Sequence, residues 1–177
     1  MEHVAEQAKD VICQIIAAAG GELKGKIVLY KAFYFAHLYH WKECDVTLTD
    51  YPIVRMPQGP GIANGNLLLP ELQSEGRICI DFEPEGPYRE YSFSLARPYS
   101  IDRSDPRCRA IEQAVAFVKD NSATELSRIT DDNSRSWRQA TDGEELNIYI
   151  DLMEDEEYLE MQRRLSATAD MVNRVFA

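Results

Sequence analysis

The sequence predicts a mainly α, α+β domain: a compact bundle of about five to seven helices with a small antiparallel β-hairpin or sheet. Several segments repeat apolar residues at the three- and four-residue spacing of amphipathic helices. One pair of short segments alternates apolar and polar residues around a turn sequence, which predicts a hairpin. The 177 residues are 45% hydrophobic, which is enough for one core, so we expect a single domain over residues 1–177.

The helix that we expect at the centre of the bundle runs from Lys24 to Trp41, the most aromatic segment of the chain. Two adjacent apolar stripes cover more than half of its circumference, which is typical of a helix packed on several sides. The first stripe contains Ile27, Tyr30, Phe33 or Tyr34, His37, Leu38 and Trp41, and the second contains Leu29, Phe33, Ala36 and His40.

Local signals predict the elements on either side of this helix. A first helix over residues 4–19 ends at Gly20-Gly21, because glycine permits left-handed cap geometry. Residues 45–55 are extended, and Pro52 favours an edge strand. Residues 56–65 are rich in glycine and proline, which predicts a loop or tight turns.

A short helix follows, with Asn64 or Asn66 as its cap and Pro70 at its start or at a kink. Strands over 77–82 and 88–95 flank the turn sequence 83–87 and form the hairpin.

The last third of the chain returns to helix. Asp105-Pro106 is an N-cap followed by proline at the first helical position, and Ser122 with Glu125 forms a capping box. A final helix from about residue 155 to 175 aligns Met161, Leu165, Ala169, Val172 and Val175.

Composition narrows the classes of function. No apolar run approaches the roughly 20 residues that cross a bilayer, and the polar start of the chain is no signal peptide, so we expect a cytoplasmic protein. Four scattered cysteines without a CxxC pair indicate small buried thiols. The net charge is −11 and makes nucleic acid an unlikely partner.

The acidic excess is concentrated in one stretch. Residues 142–160 contain nine carboxylates and no Lys or Arg, and the rest of the chain carries a net charge of only −2. Such a run is either a solvated face or a docking surface for a basic protein.

Chemistry-bearing residues are few. His37, His40 and Cys44 lie at i, i+3 and i+7, where one helix face offers three metal ligands or a thiol beside a base. The alternative is histidines packed in the core. The stretch Gln58–Gly61 lacks the pattern of a phosphate loop, and Pro60 removes a backbone donor. We therefore expect no cofactor, no metal and no standard catalytic site.

Three separated blocks resemble the Panacea domain, a SocA-like family of antitoxins and phage-associated proteins. They are the helix Lys26–His37, the segment Tyr51–Pro60 with its Gly-Pro, and the stretch from Leu126 through Trp137 to Gly143. Their order and spacing agree over about residues 12–152. The resemblance implies a largely helical fold with a small sheet and a role in toxin–antitoxin pairs. It also implies direct binding of a protein toxin encoded nearby and, in one case, delivery of the toxin to an ATP-dependent protease.

The predicted function is thus a non-enzymatic protein-binding module that neutralises a toxin by direct contact. The alternative is a small metal- or thiol-dependent enzyme, or a ligand-binding regulator, that uses His37, His40 or Cys44. A third class, DNA binding, rests only on the basic residues Arg103, Arg107 and Arg109.

The candidate partner-binding residues have structural alternatives. The aromatic stripe is either a recognition surface or core, Gly59–Gly61 is either a contact or a turn, and Trp137 either caps a groove beside the Gly-Pro segment or anchors the last third of the chain. The candidates are Tyr30, Tyr34, His37, Trp41, Gly59, Pro60, Gly61, Trp137, Glu154, Asp155, Glu156 and Glu157.

Overall fold

The structure, a computed structural model, describes residues 2–83 and 90–176. It confirms a mainly helical fold with a small β part. The helices are α1 (Glu2–Ala18), α2 (Lys26–Cys44), α3 (Gly65–Ser74), α4 (Pro106–Lys119), α5 (Ala123–Asn133), α6 (Arg135–Gln139) and α7 (Asp155–Phe176). The strands are β1 (Glu22–Lys24), β2 (Ile53–Met56), β3 (Gly59–Ile62), β4 (Ile78–Glu83) and β5 (Glu90–Leu95), and Ile148–Asp151 forms a 3-10 turn.

Helix α2 lies at the centre of the fold, as predicted. It packs against α1, α4 and α5 and against strands β1, β3 and β5. Because neighbours cover it on several sides, it buries polar as well as apolar side chains. Its buried residues are Leu29, Tyr30, Lys31, Ala32, Phe33, Tyr34, Ala36, His37 and His40.

Strands β1, β5 and β4 form an antiparallel sheet in that order, and the predicted hairpin is its β4–β5 pair. Ile80 lies opposite Phe93 in this pair, and Leu23 of β1 lies opposite Phe93 on the other side. Of the predicted turn 83–87 and the predicted strand start at Tyr88, only Glu83, the end of β4, belongs to the described residues.

The Gly-Pro stretch contains tight turns at 57–58 and 63–64, as predicted for residues 56–65, but it also contains a strand that was not predicted. This strand, β3, pairs with β2 through a two-residue turn at Pro57-Gln58, so that Met56 lies opposite Gly59. All four residues of β3 are buried. The other side of β2 pairs with residues 143–146, which leaves β3 at an edge, where a proline is tolerated. Glycine and proline carry no local strand signal, so this pairing depends on tertiary contacts.

Most helix ends follow the local signals. Gly20 and Gly21 both have positive φ after α1. Asp105 accepts the N–H of Arg107 at the start of α4, and both bonds of the Ser122–Glu125 capping box are present.

Helix α3 differs from its prediction in one detail. Asn64 is its N-cap residue but makes no side-chain capping bond, and Pro70 lies inside the helix. The helix thus begins at Gly65, five residues before the proline, and Pro70 supplies no N–H for the carbonyl of Asn66.

The cysteines correct the prediction of uniformly buried thiols. Cys13 and Cys108 are buried, but Cys44 is half-buried and Cys79 is exposed. Strand β4 turns the side chains of Ile78 and Cys79 to opposite faces, and only Ile78 faces the core.

Helix α7 leaves the body of the domain after its first turns. Leu159, Leu165 and Met171 are 53%, 58% and 62% exposed, whereas a core helix would bury such residues. The side chains of the predicted Val172 and Val175 lie outside the described set. Within residues 2–83 and 90–176, no helix combines the length and apolar character needed to cross a membrane.

Candidate functional site

The three sequence blocks that carry the family resemblance meet at the side chain of Lys31. Its ammonium group, which projects from the middle of α2, donates to the carbonyl oxygen of Gln58 at 2.5 Å and to Oγ1 of Thr130 at 2.9 Å. The lysine thus joins the central helix to the β2–β3 turn and to α5.

Gly59 makes this approach possible. Its φ is +102°, and a Cβ built on it would lie 1.9 Å from Nζ of Lys31 and 2.5 Å from Oγ1 of Thr130. Both the backbone angle and the available space therefore require glycine at this position.

The Lys31 ammonium is buried without a carboxylate at ion-pair distance among the described residues. Its side chain is 1% exposed, and its two acceptors are neutral oxygens. Burial lowers the pKa of Lys31 to about 8, an effect that the negative charge of Asp131 partly opposes. At pH 7 the group still carries its charge in most molecules.

A groove of about 770 Å³ opens beside Lys31. We call it the lysine groove. Its lining residues come from the starts of α2, α3 and α5, from the β2–β3 hairpin and from β5. They are Gly25, Lys26, Ile27, Tyr30, Lys31, Met56, Pro57, Gln58, Gly59, Pro60, Gly65, Asn66, Glu90, Tyr91 and Ala123. Of the predicted partner-binding residues, the structure brings Tyr30, Gly59 and Pro60 together here.

Trp137 anchors the β2–β3 hairpin to the last third of the chain. Its indole Nε1 donates to the carbonyl oxygen of Met56 at 2.8 Å, and the guanidinium of Arg55 lies 4.4 Å from the centre of its ring. The ring is half-buried and packs against the core. Trp137 therefore anchors this region, one of its two predicted roles, and it does not line the lysine groove.

Asp151 holds the 3-10 turn against the central helix. Its Oδ2 accepts the hydroxyls of Tyr34 at 2.7 Å, Ser134 at 3.0 Å and Ser136 at 2.6 Å, and its Oδ1 accepts the N–H of Ser136 at 2.7 Å. Burial and the nearby Asp151 charge raise the pKa of Tyr34 well above its usual value. The hydroxyl is therefore a permanent donor at physiological pH.

The aromatic stripe divides between core and surface. Tyr34 and His37 are buried, so the folded chain does not present them to a partner. Trp41 is half-buried, and its ring centre lies 5.3 Å from that of Tyr149. Gly61 is buried, with Met56 filling the space that a Cβ would need.

His37 and His40 have hydrogen-bonded ring nitrogens. Nδ1 of His37 donates to the carbonyl of Phe33 at 2.8 Å, and its Nε2 lies 3.2 Å from Oγ1 of Thr49. Nδ1 of His40 lies 2.8 Å from the carbonyl of Val46. No three His, Cys, Asp or Glu side chains among the described residues are grouped to hold a metal ion. The fold thus does not assemble His37, His40 and Cys44 as ligands.

The acidic run 142–160 is not one uniform patch. Asp142 pairs with Arg55 at 3.2 Å, and Glu144 accepts the N–H and hydroxyl of Thr141. Asp155 pairs with Arg135 at the start of α7.

Further along α7, Glu160 pairs with Arg163 and Arg164. Glu154, Glu156 and Glu157 are exposed and form no ion pair with the described part of the chain. Only these three, of the four predicted acidic contacts, keep their charge free for a partner.

The basic residues considered for DNA binding are largely used within the fold. Arg103 pairs with Glu112 at 3.1 Å, and Arg109 pairs with Glu43. These pairs reduce the positive potential that phosphate binding requires.

Lys31, Asp151 and Lys26 were not identified as candidate site residues from the sequence. A lysine in a helix is normally solvated, but Lys31 sits among Tyr30, Phe33 and Tyr34 on a helix that is apolar on several sides. These apolar neighbours in the sequence could have predicted that the Lys31 side chain is buried. Asp151 had no such signal, because its partners come from residues 15 to 117 positions away.

Comparisons with known proteins give no relative for this chain: no family model, no curated protein and no solved structure matches it.

Proposed function

We propose that the protein is a non-enzymatic, Panacea-like protein-binding module, an antitoxin that neutralises a basic toxin encoded nearby by direct contact. The observation that carries this proposal is helix α7. It exposes Leu159, Leu165 and Met171, and the free carboxylates of Glu154, Glu156 and Glu157 lie at its N-terminal end.

Contacts with α6 hold the first turn of α7 in place, whereas most of the rest of the helix is exposed. Arg135 pairs with Asp155, its guanidinium lies 4.8 Å from the ring centre of Tyr158, and Gln139 donates to the Tyr158 hydroxyl. A partner would therefore meet a helix of defined direction. Leu159, Leu165 and Met171 are spaced by six residues, so they point about 120° apart around α7, and a partner that covers all three would have to surround the helix.

The charge on α7 indicates the chemistry of the partner. The three unpaired carboxylates lie at the start of α7, Glu154 just before the helix and Glu156 and Glu157 in its first turn, so a complementary surface would combine an apolar groove with a basic rim. In this proposal, burial of the leucines and methionine supplies the affinity, and the carboxylates steer the encounter.

The first test is co-expression with the neighbouring gene. A toxic product whose toxicity is relieved and which co-purifies in a one-to-one complex would support the proposal. A harmless neighbour that forms no complex would exclude it.

The second test addresses the carboxylates. The triple variant Glu154→Gln, Glu156→Gln, Glu157→Gln should associate about tenfold more slowly at low salt and with a flatter salt dependence. Stopped-flow mixing over a range of salt concentrations measures both. Asp50→Asn, Asp81→Asn, Asp120→Asn makes the same change in net charge at exposed positions on other elements and is the control. Equal slowing by both variants would show that overall charge, not α7, steers the partner.

A further inference from the structure

We infer that the lysine groove is a binding site for a small anionic ligand with a flat apolar body, such as an aromatic carboxylate or an aromatic phosphate ester. This inference does not depend on the proposed antitoxin function, because the groove and the free face of α7 share no residues.

The groove has the size and surface of a small-molecule site. Its volume of about 770 Å³ lies within the range of roughly 300–1,000 Å³ that is usual for such pockets. Ile27, Tyr30, Met56, Pro60 and Tyr91 give it mainly apolar walls. A flat ring can pack against the two tyrosines and exclude water from them.

Lys26 supplies a positive charge at the mouth of the groove. Its Nζ lies 5.5 Å from the ring centre of Tyr30 and 6.0 Å from that of Tyr91. It makes no ion pair with any described residue. The lysine is therefore held over the apolar wall by the aromatic rings, with its charge free for an anionic group of the ligand.

Lys31 adds a second positive charge from within the wall. Its ammonium is buried and bonded only to neutral oxygens, so its field extends into the groove with little screening. Glu90, at the rim, and Asp131, beyond ion-pair distance behind Lys31, oppose this field. The groove lining thus contains two lysines and one carboxylate, which leaves an excess of positive charge.

Backbone dipoles reinforce the two lysines. Helices α2 and α3 both begin at the groove, and neither N-cap residue, Gly25 or Asn64, makes a side-chain capping bond. The N–H groups of both first turns therefore have no capping side chain, and the positive ends of both helices lie beside the lysines. Helix α5 also starts here, but Ser122 and Glu125 already cap it.

Glycines keep the floor of the groove open. A Cβ on Gly65 would lie 2.1 Å from the Tyr30 hydroxyl, and one on Gly59 would displace Lys31. Side chains at either position would disturb the wall that the ligand contacts.

The test is an NMR titration of the ¹⁵N-labelled full chain with phenyl phosphate, compared with inorganic phosphate and with phenol. We expect saturable shifts of the backbone amides of Gly25, Gly59 and Gly65. The amides of Gly20, Gly76 and Gly143 lie outside the groove lining and are the internal control. Phenyl phosphate should bind about tenfold more tightly than either fragment, because only it uses both the lysines and the apolar wall.

Lys26→Gln should weaken phenyl phosphate binding about fivefold. Lys42→Gln, at the exposed far end of the same helix, should leave it unchanged. Absence of saturable shifts at the three glycines, or equal binding by both variants, would overturn the inference. Inorganic phosphate binding as tightly as phenyl phosphate would also overturn it, since the apolar wall would then play no part.

Discussion

At the scale of single residues, Gly59 and Lys31 constrain each other through a close contact. The glycine has a backbone angle that other residues rarely adopt, and its missing side chain is the space that the lysine ammonium fills. The lysine in turn satisfies the Gln58 carbonyl of the turn. Changing either residue would disturb the hairpin, α2 and α5 together.

Gly59→Ala should destabilise the protein by about 3 kcal/mol or more, since backbone strain and a steric clash add together. Gly20→Ala is a matched control, because Gly20 has a similar φ of +98° but nothing within 4 Å of an added Cβ. It should cost only about 1 kcal/mol from strain. Urea unfolding of both variants measures the difference. Equal losses would show that the clash relaxes without cost.

Residues such as Lys31 and Asp151 mark the limit of prediction from sequence. The sequence gives the residue type, but whether the side chain is buried depends on neighbours that are distant in the chain. By contrast, the caps at Asp105 and Ser122 were predictable because all their partners lie within three residues. Short-range hydrogen bonds can be predicted from local sequence, whereas a buried ion depends on the assembled fold.

At the scale of elements, α2 and α7 are opposite cases. The two apolar stripes of α2 predict a helix covered on several sides, and the structure shows it covered by helices and strands. The single stripe of α7 predicts one covered face, yet the side chain of Leu165 on that stripe is more than half exposed. The same periodicity therefore identifies a helix but does not say what covers it.

Leu165→Ala should change the free energy of unfolding by less than about 0.5 kcal/mol, because an exposed leucine has little packing to lose. Leu126→Ala in α5 is the same substitution at a fully buried position, and it should cost about 2–5 kcal/mol. Chemical denaturation of the isolated protein distinguishes the two. A loss above 1 kcal/mol for Leu165→Ala would mean that α7 packs against the body of the domain in solution.

The Gly-Pro hairpin is the element that local reasoning missed. Its two strands are four residues each, and one consists of Gly-Pro-Gly-Ile. Three of these four residues, two glycines and a proline, are of types depleted in strands. Tertiary contacts therefore determine the conformation of this strand: it pairs with β2, and Lys31 and Thr130 pack against Gly59.

At the scale of the whole molecule, one cluster of buried residues extends from Ala8 to Ile148. His37 is fully buried beside this cluster, with its ring centre 4.5 Å from that of Phe33. Burial lowers the pKa of His37 to about 4, and its bonds to the Phe33 carbonyl and the Thr49 hydroxyl suit a neutral ring with one donor and one acceptor.

The stability of the protein should therefore fall as the pH drops below 6.5. Between pH 6.5 and 4 the unfolded chain binds a proton at this histidine and the folded chain does not, so protonation favours unfolding. From pH 7 to pH 5 we expect His37 to account for a loss of about 2 kcal/mol.

Urea unfolding at both pH values, with His37→Phe for comparison, isolates this contribution. Whatever the absolute stability of the variant, its loss between pH 7 and pH 5 should be smaller by that amount. An identical pH dependence in the two proteins would show that His37 is not the group responsible.

The attachment of α7 through Asp151 has a mechanical consequence. Tension applied along α7 passes through Arg135 and the neighbouring Ser134 and Ser136 to a single carboxylate, which is tied to Tyr34 of the central helix. Because one carboxylate accepts all of these hydroxyls, its displacement would break the bonds to Tyr34, Ser134 and Ser136 at the same time. A partner that pulls on α7 would thus have to break this group of bonds as a set before the 3-10 turn separates from the central helix.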